Sequence, residues 1–252
     1  MERTRRSEAT ESAGLRATRY AVLEAAREMD RAGLTEGTAG NVSARTPADE
    51  VVLTPTALSY GEMEIEDLVV TDLEGRILAG RREPTTEIAL HLACLRRHRD
   101  IAAVVHSHAL HASMFAVARQ PIPCLIEELE LYVGGDVQVA PYHRTGSEAL
   151  GRVAADRLGD CAAVLLANHG LVTVGSSPAE ALALTMLVER TARIVAGARR
   201  LSDPVPIPDE DRAAFAAHYR DARARAHAER EAGPEVRAND PPRDASRRAG
   251  TR

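Results

Sequence analysis

Two histidines stand two residues apart at the end of an apolar run, in IAAVVHSH at residues 101–108. In a strand successive side chains alternate between faces, so His106 and His108 project together and Ser107 turns away. Such a pair is a two-point claw for a metal ion. A second apolar run, residues 161–168, carries His169 at its tip with Gly170 directly behind. If the two strand ends are neighbours, three neutral imidazoles converge on one divalent cation. They would leave a coordination position open, which separates a catalytic zinc from a structural one. A lone strand-end histidine is ordinarily a hydrogen-bonded or solvated residue. Its repetition points to Zn2+, with Mn2+ or Co2+ also suited to imidazole and carboxylate donors.

Glu87 follows Pro84, Thr85 and Thr86 at a helix start, where a carboxylate is an ordinary first-turn residue. Beside a metal it would instead be a fourth ligand or a general base. His91 lies one turn further along the same face and is placed to orient that carboxylate. Three loops share one character: GTAGN at 37–41, TPTA at 54–57 and PTTE at 84–87. Small hydroxyls, exposed amides and a helix N-terminus suit a phosphate dianion. Each loop alone also reads as an ordinary turn or cap, but three of them before the histidine strand favour a small phosphorylated substrate.

The bulk properties narrow the classes. A chain of 252 residues with 44% hydrophobic residues is long enough for one sizeable α/β domain. A net charge of −5, 3% aromatics and no Trp argue against a nucleic-acid partner. No run approaches the ~20 apolar residues of a membrane span, and residues 1–12 lack the apolar core of a signal peptide. Cys94, Cys124 and Cys161 form no CxxC, so a reducing cytoplasm is expected. All 32 basic residues are Arg. Without a Lys there is no Schiff-base chemistry and no Walker P-loop, so carbanion chemistry here requires a metal.

The elements that must position these groups are legible as periodicities. A helix is expected over 11–32, a hairpin over 41–45 and 51–53, and a second hairpin over 68–72 and 76–79. A helix follows PTTE to about 97. The histidine strand precedes a helix over 109–119 and a strand over 137–142. Thr145 with Glu148, and Ser177 with Glu180, have capping-box spacing for helices ending near 158 and 199. A last amphipathic helix covers 213–224. Hairpins mixed with helices argue for a mixed, mainly antiparallel sheet. Residues 1–12 and 227–252 are expected to be disordered, leaving one domain over 13–226.

The segments GLTEGTAGNVS, TPTALSYGEM, PTTEIALH, AVVHSHALHAS, VAPYHRTGSEAL and LLANHGLV, in this order and spacing, closely resemble the class II aldolase/adducin family. The resemblance spans roughly residues 15–219. It implies a three-layer α/β/α fold on a mainly antiparallel mixed sheet, assembled as a homotetramer with active sites at subunit interfaces. It implies zinc on His106, His108 and His169, with Glu87 alternating between ligand and base. Phosphate would be held by Thr38, Gly40, Asn41, Thr56, Ala57, Thr85 and Thr86, with Ala57 standing where the family often has Gly. Tyr219 matches a C-terminal tyrosine that closes over the site. In LIEELELYV, residues 125–133, Glu128 stands where some members carry a tyrosine that reaches a neighbouring subunit's site. Helical and strand spacing both pair Glu128 with Tyr132, so these two are the expected acid/base group there. The implied activity is metal-dependent cleavage of a phosphorylated ketose to dihydroxyacetone phosphate and an aldehyde. A phosphosugar epimerase, dehydratase or decarboxylase, or an adducin-like scaffold, are the alternatives.

Overall fold

The computed structural model describes residues 11–231. Its elements run α1 (Ala13–Arg31), β1 (Asn41–Arg45), β2 (Val51–Leu53), β3 (Val69–Thr71), β4 (Ile77–Ala79), α2 (Ile88–Arg97), β5 (Ala103–Ser107) and α3 (Leu110–Ala118). The second half adds α4 (Glu127–Val133), β6 (Gln138–Ala140), α5 (Glu148–Leu158), β7 (Ala163–Leu166), β8 (Gly170–Gly175), α6 (Pro178–Ala198) and α7 (Asp209–Glu231). The strands form one sheet in the order β4-β3-β2-β1-β5-β8-β7-β6. Every pairing is antiparallel except β6 with β7. Helices α1, α3 and α6 pack on one face and α2 with α5 on the other, giving three α/β/α layers.

Helices on both faces explain why β5 and β7 read as continuous apolar runs rather than alternating ones. Each is buried along its whole length. The core runs through Val104, Val105, Leu165, Leu166 and Val172 against Leu90, Leu95, Val188 and Val195. Sequence-encoded caps start the helices: Ser12 accepts from the Leu15 amide, and Ser177, followed by Pro178, accepts from that of Glu180. For α5 the cap is Ser147 rather than the expected Thr145, because Ser147 is the extended residue whose hydroxyl faces the Leu150 amide.

Two further expectations change. Residues 163–175 form a hairpin, β7 and β8, and β8 lies between β5 and β7, so the two runs that carry the histidines are not direct neighbours. Helix α7 extends well beyond 213–224 and continues through 227–231, residues expected to belong to a disordered tail. The rest of that tail, and residues 1–10, lie outside the described residues. No described helix is long and apolar enough to cross a membrane.

Candidate metal centre

β5 carries His106 at its end and His108 just beyond. His106 pairs across the sheet with Asn41 of β1 on one side and Val172 of β8 on the other. His108 is tied down through its amide to the Leu34 carbonyl, 3.1 Å away. His169 occupies the β7–β8 turn. Asn168 makes that turn at φ 56°, a left-handed conformation that Asn tolerates. Gly170 must then pass under the neighbouring strand: a Cβ there would stand 2.4 Å from the Ser107 carbonyl and against the His106 and His108 rings. Asn-His-Gly is therefore a geometric unit of turn, donor and close approach.

The three rings meet edge-on with centroids 4.7–5.2 Å apart. One ring nitrogen from each lies within 4.8 Å of the others. His106 Nδ1–H donates to the Leu171 carbonyl at 3.0 Å, which leaves Nε2 as a lone pair aimed into the cluster. Burial, reinforced by His106, pushes His169 down to about 4 and lowers His108 as well. Neutral imidazole is the form that binds metal.

Glu87 faces this cluster. Its Oε2 is 3.1 Å from His106 Nε2, and its Oε1 is 3.5 Å from His169 Nε2. Asn41 Nδ2 donates to Oε2 at 3.1 Å. Burial opposes ionisation of Glu87, but positive charge at the His106 position, from a proton there or a cation in its stead, together with the Asn41 amide outweighs it and holds the carboxyl well below the usual range. His106 Nε2, His108 Nε2 and Glu87 Oε1 are buried without a hydrogen-bond partner, and His169 turns its Nε2 toward Glu87 Oε1. A lone pair directed at a carboxylate oxygen is repulsive until a cation lies between them, so this donor set fits a divalent metal.

The three small-residue loops meet beside Glu87. Thr54 exchanges bonds with Val42, the Thr85 amide donates to the Thr54 carbonyl at 3.1 Å, and that of Thr56 donates to the Glu83 carbonyl at 3.1 Å. Gly40, at φ 75°, sets its Cα against the His106 carbonyl. Thr38 and Thr86 are exposed, Thr56 is half-buried, and Ala57 is exposed with a φ of 54°. Thr85 is buried, its hydroxyl accepting from the Glu87 amide at 3.3 Å. Asn41, expected at the phosphate, turns its side-chain amide to Glu87 Oε2.

Not every expected residue reaches the cluster. Tyr219 packs at the opposite end of the strands, where its hydroxyl donates to the Asp160 carbonyl at 2.9 Å. There it lines a cavity of about 130 Å³ with Asp100, Gly175 and Arg223. Burial pushes its phenol up to about 12, and with its hydroxyl on Asp160 it does not close over the histidines of its own chain. Residues 127–133 are helical, which puts Glu128 and Tyr132 on one exposed face, with Glu128 3.7 Å from Arg190. They do not meet the histidines of the same chain.

One contributor was not singled out from the sequence. Ser43 Oγ lies 2.7 Å from His91 Nδ1, and His91 Nε2 meets Asn41 Oδ1. The signal was present in GNVS, where strand alternation puts Asn41 and Ser43 on one face.

A three-layer sheet protein that converges three imidazoles and one carboxylate at a strand end is of the metal-dependent enzyme class. The class II aldolase and adducin N-terminal domain family matches residues 20–196, and the chain belongs to it. A 5-deoxy-D-ribulose 1-phosphate aldolase of Bacillus thuringiensis is 31% identical over 78% of this chain and 92% of its own. A 3-oxo-tetronate 4-phosphate decarboxylase of Haemophilus influenzae is 34% identical over 69% of this chain and 84% of its own. The solved structure of an L-fuculose 1-phosphate aldolase superposes with a TM-score of 0.77 and 30% identity, covering 81% of this chain and 96% of that one. Within the family this chain is a metal-dependent lyase of the aldolase kind.

Proposed function

We propose that the protein is a divalent-metal aldolase acting in the cytoplasm on a phosphorylated ketose, such as L-fuculose 1-phosphate or a 5-deoxyribulose 1-phosphate, with dihydroxyacetone phosphate and an aldehyde as products. The carrying observation is the convergence of His106, His108 and His169 on Glu87, with His106 Nε2, His108 Nε2 and Glu87 Oε1 buried and unpartnered, beside three loops suited to phosphate. In cleavage the C4 hydroxyl loses its proton and C4–O becomes the aldehyde carbonyl. The C3–C4 electron pair moves toward the C2 carbonyl, and C3 takes a proton. Glu87 carries that proton to C3, and removes it in the condensing direction. A Zn2+ held by His106, His108 and His169, with Glu87 within reach, would supply Lewis-acid stabilisation of charge developing on the substrate oxygens. Thr38, Thr86, Thr56 and the backbone around Gly40 and Ala57 hold the phosphate.

The C4 hydroxyl proton needs a second group. Glu128 with Tyr132, delivered from a neighbouring copy in a homotetramer, fits that role because the two share one helix face, Tyr132 exposed and Glu128 half-buried. Leu110, Met114 and Val117 form an exposed apolar stripe along α3, close after His108, which supports assembly on that side. The test is a panel of phosphorylated ketoses with released dihydroxyacetone phosphate and aldehyde measured. A metal-loaded protein that binds such ketoses and releases neither product would refute the reading. The decarboxylase relative favours one second reading, phosphorylated 3-oxo-acid decarboxylation, which CO2 release on the same panel separates.

A further inference from the structure

Glu87 stands at the end of a chain of buried side chains closed to solvent. Ser43 and His91 are fully buried, and Asn41 and Glu87 are 4% and 5% exposed. The chain runs Ser43 Oγ to His91 Nδ1, His91 Nε2 to Asn41 Oδ1, and Asn41 Nδ2 to Glu87 Oε2. Its polarity has one solution when Glu87 is a carboxylate. An anionic oxygen accepts only, so the Asn41 amide must turn its NH2 toward Glu87. Asn41 Oδ1 then faces His91, which must carry its proton on Nε2, and the bare Nδ1 accepts from the Ser43 hydroxyl. Flipping the amide would set two acceptors against each other at 3.1 Å. The two carboxylate oxygens thereby become unlike: Oε2 is anchored by Asn41 and stands 3.1 Å from His106 Nε2, while Oε1, 3.5 Å from His169 Nε2, accepts no hydrogen bond.

We propose that Ser43, His91 and Asn41 are positioning residues that lock Oε2 of Glu87 and leave Oε1 as the oxygen that exchanges the substrate proton. In this role Asn41 acts through the carboxylate. This rests on the aldolase reading for the identity of the proton, but the hydrogen-bond order does not. Two sequence periodicities build the device. Asn41 and Ser43 share a face of β1 by strand alternation, and Glu87 and His91 share a face by the one-turn spacing of α2.

The experiment has two arms. In the wild-type protein, long-range 1H–15N spectra of 15N-histidine identify the tautomer of His91, without substrate. The expected result is a neutral ring protonated on Nε2, and a proton on Nδ1 overturns the proposal. In the second arm His91→Phe keeps ring volume but removes both bonds, and His91→Gln restores an N–H toward Asn41. His91→Phe should lower kcat by about 10²-fold, the scale of a misplaced catalytic group. KM for the phosphorylated ketose and metal bound per subunit should stay at wild-type values, and His91→Gln should recover most of the loss. A raised KM with kcat intact would return Asn41 to the phosphate and overturn the proposal. If no ketose is turned over by the wild type, the aldolase reading fails while the tautomer still decides the hydrogen-bond order. That arm also decides the matter if His91→Phe does not fold.

Discussion

Two buried polar clusters at opposite ends of β5 are satisfied to different degrees. At the end where β5 begins, Arg223 of α7 pairs with Asp100 and donates to the carbonyls of Asp160 and Cys161 and to the Tyr219 hydroxyl. Arg212 ties the same helix to Glu130 of α4 at 3.1 Å. At the other end, His106 Nε2, His108 Nε2 and Glu87 Oε1 are buried and left without partners. Each such orphan costs about 1–3 kcal/mol, so a fold that needed only stability would have satisfied them as it did around Arg223. Saturated polar clusters mark joints, and unsaturated ones mark where something else is to be bound.

The sharpest break of that contrast is removal of a ligand. His169→Ala should lose stoichiometric metal and lower turnover by about 10³-fold or more, the value of several kcal/mol of charge stabilisation. Metal analysis alongside kinetics checks this, and a chelator should reproduce it reversibly. Next in size, Glu87→Gln should keep its melting temperature while kcat falls about 10²–10⁴-fold, since an amide neither accepts the proton nor carries the charge.

At the opposite end the same chemistry should register as stability. Asp100→Asn should cost about 1–3 kcal/mol in denaturant melts, with turnover of the folded fraction unchanged. The pH dependence has a definite sign. Burial opposes ionisation of Asp100, but the Arg223 guanidinium prevails and holds its carboxyl below the ordinary value. Its stabilisation is therefore fully present above about pH 4 and lost as the pH falls through the lowered folded value. The variant should show a shallower acid limb in melting temperature against pH.

The smallest effect is expected at Ala57, which holds a left-handed φ of 54°. Ala57→Gly relieves about 1–2 kcal/mol of local strain and returns about 0.4–1 kcal/mol of chain entropy to the unfolded state. A slight stabilisation is the expected outcome, and any loss of stability would contradict the strain.

Much of this was legible in the sequence because strand and helix periodicities act locally. The claw of His106 and His108, the three loops and most helix boundaries follow from spacing alone. What stayed hidden depends on contacts between distant segments. The insertion of β8 between β5 and β7 is a matter of pairing order, which the run LVTVG does not declare. The engagement of Asn41 with Glu87 needed the register of β1 against β5 and the seat of α2 above them. Matching a C-terminal tyrosine to a family fixes the position of Tyr219 in the chain but not where α7 docks, which within this chain is the far end of the strands. Residues 125–133 fit helix and strand spacing alike, and their αL end at Gly134 reveals a helix only in three dimensions.

The placement of His169 in the turn between β7 and β8, rather than on a strand of its own, has a consequence for how the molecule is made. Its partners come from the start of α2 and from β5 and the residue just beyond it, so no fragment of the chain that lacks the closing hairpin can assemble the donor set. Tight cation capture is then a late event in refolding, because contacts so far apart in sequence close last. Added metal should slow unfolding without hastening collapse, and a nascent chain should remain blind to the ion until β8 has slotted beside β5.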